Sequence, residues 1–286
     1  MTYSRWRAMQ YETSFFRCLR WVVYQRISQH KKLRHNWKNL VIWMYIYPHM
    51  LKDLKLNNVF VIDIETVPQK ENFNELPTDL QYLWEQKTAY QRKDGQTAVD
   101  FYEKAGIWAE FGKIVCISVG VFHLERKQIH FRVRSFCHTD EQIILKQFAN
   151  LLNKQSKNLQ LCAHNGKEFD FPYLCRRMLV NGINIPLQLQ LHGKKPWEVN
   201  HLDTMDLWKF GDHKNYTSLN LLAAIFELPT PKSEIDGSKV KQVYYQDKNL
   251  NKLAKYCEND VITTAQILLR FKGLPTIPQE NITLVK

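Results

Sequence analysis

No run in this 286-residue chain reaches the roughly 18 apolar residues that a membrane span needs. The longest, Leu40–Tyr47, is far too short. Arg17, Arg20 and Arg26 interrupt any apolar stretch near the start, so no secretory signal is readable. None of the six cysteines (18, 116, 137, 162, 175, 257) forms a CxxC. That usage predicts reduced thiols and a cytoplasmic setting, without a disulfide framework or a zinc site; Cys116 and Cys162 read as small core residues. The ten histidines show no HExxH and no paired metal spacing. Between Gly106 and Gly112 stand five residues, and Ile114 occupies the place where Ser or Thr is required, which excludes a phosphate-binding loop. Ser118 lies in an apolar run without Gly-x-Ser-x-Gly, which removes support for a serine hydrolase. There is no internal repeat and no low-complexity tract.

What is present is a globular composition, 44% hydrophobic and 24% charged, with a net charge of +12. The charge is uneven. Residues 1–49 hold nine Lys and Arg against Glu12 alone, so they supply +8 of the +12. Residues 50–286 carry 31 basic and 27 acidic side chains. A polyanionic partner therefore has to be argued from chemistry, because bulk charge comes from one short stretch.

That stretch differs from the rest. Residues 1–49 lack Gly and Asp, hold four of the eight Trp, and end at Pro48-His49-Met50. Three readings fit: a basic aromatic arm that adds nucleic-acid affinity, a segment that touches a membrane interface, or a non-native extension with the domain starting at Met50. The third is preferred, because ordered patterning begins just after Met50 and the segment has no clean amphipathic period.

From Asn57 the pattern is α/β. Val59–Ile64 is a β-branched strand interrupted by Asp63, Lys113–Phe122 a second, Gln128–Phe136 a third and Leu159–Ala163 a fourth. Residues 139–142 read as a capping box that opens a helix to about Leu152. Pro172 suits the first turn of a helix over Phe171–Leu179, stopped by Asn181-Gly182. His201–Leu207 holds a short fifth strand. Ser218 opens a helix that Pro229 ends, and a last helix runs from about Leu250 to Phe271, with Gly273 and Pro275 as its stop. Its buried stripe is Leu250, Leu253, Cys257, Val261 and Leu268. Alternating strands and helices imply a three-layer sandwich around one central mixed sheet.

Four acids stand out. Asp63 and Glu65, two apart at the end of the first strand, share one face. Burying both is costly unless something positive binds them, and a hard cation with oxygen ligands would do so. For this pair alone, a strand ending in solvated acids is the commoner explanation. Asp170 follows the fourth strand in His164–Pro172, where an N-cap for the next helix explains it locally. Tyr256 and Asp260 stand four apart on the last helix and so lie one above the other, as surface Tyr–Asp pairs often do.

The order of the pieces is more telling than any one of them. Asp63-x-Glu65 on a first strand, Asn165-x-x-x-Phe169-Asp170 after a later strand and Tyr256-x-x-x-Asp260 on a C-terminal helix resemble the three motifs of the DEDD exonuclease superfamily, in its tyrosine-bearing branch. The likeness is to the proofreading exonuclease domain of family B DNA polymerases and to similar stand-alone bacterial proteins. It spans roughly Asn57 to Phe271 and leaves out residues 1–49. The resemblance implies a ribonuclease-H-like fold and a 3′–5′ exonuclease that uses two divalent cations, Mg²⁺ or Mn²⁺. Asp63 would bridge both ions, Glu65 and Asp260 would complete the site for the attacking water, and Asp170 would hold the second ion. Such ions stand about 3.5–4 Å apart and clamp the attacking and leaving oxygens. Tyr256 would orient the water, Asn165 would touch the terminal nucleotide or brace the site, Thr66 would offer its hydroxyl or backbone to the 3′-terminal sugar, and Phe169 would stack on a base or serve the core. Lys167 would contact phosphate or simply face solvent. Glu168 and Glu258 neighbour the motifs without a role.

The implied substrate is nucleic acid with a free 3′ end, single-stranded DNA ahead of RNA, with no membrane partner; replication or repair proteins are left unnamed. The rivals are a non-catalytic binding or recruiting module on the same fold and an exonuclease for RNA or short oligonucleotides. All four acids and the tyrosine are present, which favours the enzyme. The aromatic and basic stretch 69–112 fits either a strand guide or the packing face of two helices.

Overall fold

The computed structural model describes residues 51–212, 214, 216–228 and 237–285. The expectations for residues 1–49 and for Pro229 lie outside them. Asp53–Arg270 together with Thr276–Lys286 form one compact unit, which carries every element discussed below apart from the last residue of the final helix.

In chain order the elements are β1 (Val59–Pro68), α1 (Thr78–Thr88), α2 (Ala98–Phe101), β2 (Gly112–Glu125), β3 (Gln128–Cys137), α3 (Glu141–Asn153), β4 (Gln160–Ala163), α4 (Asp170–Val180), β5 (Leu202–Asp203), α5 (Thr204–Lys209), α6 (Leu219–Ile225), α7 (Val240–Tyr245), α8 (Leu250–Phe271) and β6 (Ile282–Val285). The sheet order is β5-β4-β1-β2-β3-β6. β1, β2 and β3 form an antiparallel meander; β4 joins β1, β5 joins β4 and β6 joins β3 in parallel. This is the mixed α/β, ribonuclease-H-like architecture that the motifs implied.

Alternation along β1 sorts its two faces. Phe60, Ile62 and Ile64 join Ile144, Leu145 and Phe148 of α3 and Phe171, Leu174 and Met178 of α4 in the larger core. The opposite face carries Val61, Asp63 and Glu65 beneath α8. Gly120 lets that helix sit close, since a Cβ there would come within 2.7 Å of Val261 Cγ1. α8 is buried on more sides than a single stripe predicts, with residues 261–269 all buried, and Leu250 is only partly covered.

Several sequence expectations need correction. β1 does not stop at the acids. The ladder with β2 continues to Pro68 opposite Gly112, with a register shift between Glu65 and Thr66. β5 is two residues long, because Asp203 caps a helix by accepting from the amides of Met205 and Asp206. Asp140, not Thr139, caps α3. Glu141, the next residue, is drawn inward instead, where it accepts hydrogen bonds from the Ile114 amide, Arg177 and Asn181. Asp170 is the first residue of α4 and Phe169 occupies the cap position, so Asp170 is not the helix cap. Cys116 and Cys137, opposed across β2 and β3, form a disulfide, so the expectation of free thiols fails for this pair. Register brought them together, a juxtaposition that sequence spacing does not display. Cys162 is a free, buried core residue as read. β6 was not foreseen.

The 69–112 stretch resolves largely as packing. Trp84 is fully buried among Phe101, Tyr102, Trp108 and Phe111, and its indole N–H donates to Ala98 O at 2.9 Å. Tyr82 and Tyr90, by contrast, face solvent.

Candidate active site

Asp63 and Glu65 hang from the α8 face of β1, opposite Ser118 and Cys116. α8 brings Cys257 over them, where its Sγ donates to Asp63 Oδ2 at 3.2 Å and approaches Asp63 O at 3.3 Å. One ligand atom from each of Asp63, Glu65 and Cys257 falls within 4.8 Å of the other two. One turn along α8, Tyr256 stands near enough to Asp260 for each to shift the other's pKa. Asp170 enters from the loop that follows β4. Both Asp170 and Asp260 act electrostatically on Asp63 and on Glu65. The structure therefore gathers all four acids and the tyrosine named from sequence.

This cluster is held against its own repulsion. Glu65 is 7% exposed and Asp170 4%. Burial and then the neighbouring carboxylates drive the pKa values of Asp63 and Glu65 well above the usual carboxylate range. Burial raises Asp170 to about 7, against the pull of backbone amides including that of Ile64. Burial raises Asp260 to about 6, offset in part by Tyr256. Among the described residues, no Lys, Arg or His forms an ion pair with any of the four. A quartet of buried and half-buried carboxylates without a protein cation among the described residues suits a hard divalent ion, which would supply the missing positive charge. The residues present thus fit the metal that the motifs imply.

Local structure explains how Asp170 arrives. Asp203, 3% exposed, accepts from the amides of Asn165 (2.9 Å) and Lys167 (3.0 Å) while it caps α5. That clamp shapes the 164–169 loop. Asn165 adopts φ +64, a conformation that Asn tolerates better than most residues. Gly166 is required because a Cβ would press into Ala163 and the Phe171 ring. His164 bridges Thr204 Oγ1 and Thr217 O, both at 2.9 Å. Asp203 was missed from sequence because it was placed within a strand; the Asp203-Thr204 step into a helix was its visible signal.

The substrate-side residues divide. Asn165 Oδ1 is buried with no hydrogen-bond partner among the described residues, a free acceptor beside the cluster. Thr66 and Phe169, with Glu65, line a cleft of ≈ 550 Å³ that Lys104 and Lys241 also border. Phe169 also packs on the core, 5.3 Å from the Tyr173 ring. Its core packing is thus met, while it also borders the cleft. Lys167 is tied to Asp206 at 2.9 Å and is not simply solvated. Glu258, without an expected role, accepts from Ser135 at 2.7 Å, which in turn bonds Ser118 at 2.8 Å. Cys257 was read only as core, and its contact with Asp63 is new.

The fold is thus a mixed α/β sheet with a partly buried carboxylate cluster at its centre and a cleft alongside. The chain belongs to the family described as a predicted 3′–5′ exonuclease related to the exonuclease domain of PolB, which residues 107–278 match. That span contains Asn165, Asp170, Tyr256 and Asp260 and begins after Asp63 and Glu65. A looser likeness runs to the family B DNA polymerase of the hyperthermophilic archaeon Pyrobaculum calidifontis, with 18% identity and a TM-score of 0.45. It covers 74% of this chain and 24% of that one, so the chain spans about a quarter of that polymerase's length.

Proposed function

We propose that this chain removes nucleoside monophosphates one at a time from the 3′ end of single-stranded nucleic acid, DNA in preference to RNA, with two divalent cations, Mg²⁺ or Mn²⁺, held by Asp63, Glu65, Asp170 and Asp260. The observation that carries the reading is the convergence of four carboxylates, Glu65 and Asp170 buried and Asp63 and Asp260 half-buried, that no basic side chain among the described residues neutralises, in a chain of this family. Bound there, such ions polarise the phosphodiester and acidify the attacking water. The protein's own groups do the rest. Tyr256 keeps its proton, since burial raises its pKa, so it orients water as a donor and does not serve as the base. Asn165, whose backbone amide donates to Asp203 and whose Oδ1 is buried, braces the 164–169 loop of the site. Thr66 and Phe169 receive the 3′-terminal sugar and base in the cleft. The reading includes a cytoplasmic setting.

The test is substitution. Asp63→Ala or Asp260→Ala removes a ligand worth several kcal/mol of transition-state stabilisation, a loss of about a thousandfold or more in hydrolysis. Circular dichroism should show the fold intact. Full activity in either variant would overturn the assignment. A binding module on the same fold predicts no hydrolysis in the parent chain under any metal.

A further inference from the structure

The β2–β3 hairpin ends far from the acids. His123 lies five residues beyond Ser118, the partner of Asp63, or roughly 17 Å along the strand. There His123 and His130 are directly opposed across the ladder, with ring centroids 5.2 Å apart. Glu125, two residues after His123, projects from the same face. One ligand atom from each of the three lies within 4.8 Å of the others. The sequence showed no paired histidine spacing, and the antiparallel register is what creates the pair.

Two further observations bear on this cluster. His123 Nδ1 is buried and has no hydrogen-bond partner among the described residues, and a buried polar nitrogen normally has one. The connecting turn is Arg126-Lys127, with φ +48 and +66. A two-residue turn of this hand is favoured by Asn and Gly, so neither residue holds it at low cost. Something that joins the two strand ends would compensate.

We propose that His123, Glu125 and His130 bind a divalent transition-metal ion of the zinc class, which clips the hairpin shut. Two imidazoles and one carboxylate match the ligand preferences of Zn²⁺ and its neighbours. Mg²⁺, which prefers an all-oxygen shell, is not matched. The site is thus chemically distinct from the carboxylate cluster and independent of its activity.

The test is a Co²⁺ titration of the full chain carrying Asp63→Asn and Asp260→Asn, in excess Mg²⁺, followed by visible absorption. One equivalent should bind with ligand-field bands, and Zn²⁺ should displace it. Adding His130→Gln should weaken that binding by about tenfold or more. Glu125→Gln should do likewise, and Glu125 is exposed, so that variant should spare folding even if a histidine variant does not. A titration unchanged by His130→Gln and Glu125→Gln, or no bands in the parent, would overturn the proposal. In the native background, His130→Gln should leave 3′–5′ hydrolysis intact, so failure of either reading is separately visible.

Discussion

At the scale of single residues, the quartet stores an electrostatic cost that a cation would remove. The sign follows from linkage. A carboxyl whose pKa is raised on folding stabilises the folded state at low pH, and that stability is lost as pH rises through the folded pKa. Asp260 at about 6 and Asp170 at about 7 place the loss between roughly pH 4 and 7. In EDTA, the melting temperature should fall as pH is raised across that window, and millimolar Mn²⁺ should recover most of it near pH 8. A metal-free melting temperature that is flat or rising over the same range would contradict the picture. The four acids and Tyr256 were named from the sequence because their order resembles the motifs of a known superfamily; each spacing alone had a commoner explanation. Asp203 and Cys257 were not, because the contacts that give them a role are made across the fold.

Elements carry the next lesson. α8 was read to the residue from its apolar period and its Gly-Pro stop, and β2 to β4 were placed within a few residues. What escaped depended on partners. β1 continues past the acids because β2 is long enough to pair with it, and β5 is cut short by a cap. β6 is four residues with one neighbour, too little pattern to read. Between elements, α3 and α4 are locked by a buried ion pair. Arg177 donates to Glu141 at 2.9 and 2.6 Å and to Ala109 O at 2.8 Å. Removing one partner of such a pair leaves an uncompensated buried charge. Arg177→Met should therefore cost about 3–5 kcal/mol in a denaturant-unfolding experiment. A loss below about 1 kcal/mol would mean that Glu141 finds its charge compensated by the Ile114 amide and Asn181 alone.

For the molecule as a whole, the described unit begins at Asp53 and contains the entire cluster. Residues 1–49 hold most of the chain's excess positive charge. We therefore expect a chain starting at Met50 to fold with an unchanged melting temperature and to hydrolyse nucleic acid at a rate within about threefold of the full chain at moderate salt, where basic residues that touch only phosphate add affinity but not chemistry. Aggregation of the shorter chain would show that the first 49 residues belong to the fold. Fold class was legible from alternation of elements and motif order together. The disulfide and the histidine pair were not, since both arise from one antiparallel register that no local pattern encodes.

The most direct measurement is digestion of single-stranded DNA labelled at its 5′ end, with Mg²⁺, Mn²⁺ or EDTA. A ladder that shortens stepwise from the 3′ end with either metal, absent in EDTA and in Asp63→Ala, is the predicted result. No cleavage of DNA or of a matching RNA by the folded parent chain with either metal would contradict the account and leave a binding module in its place.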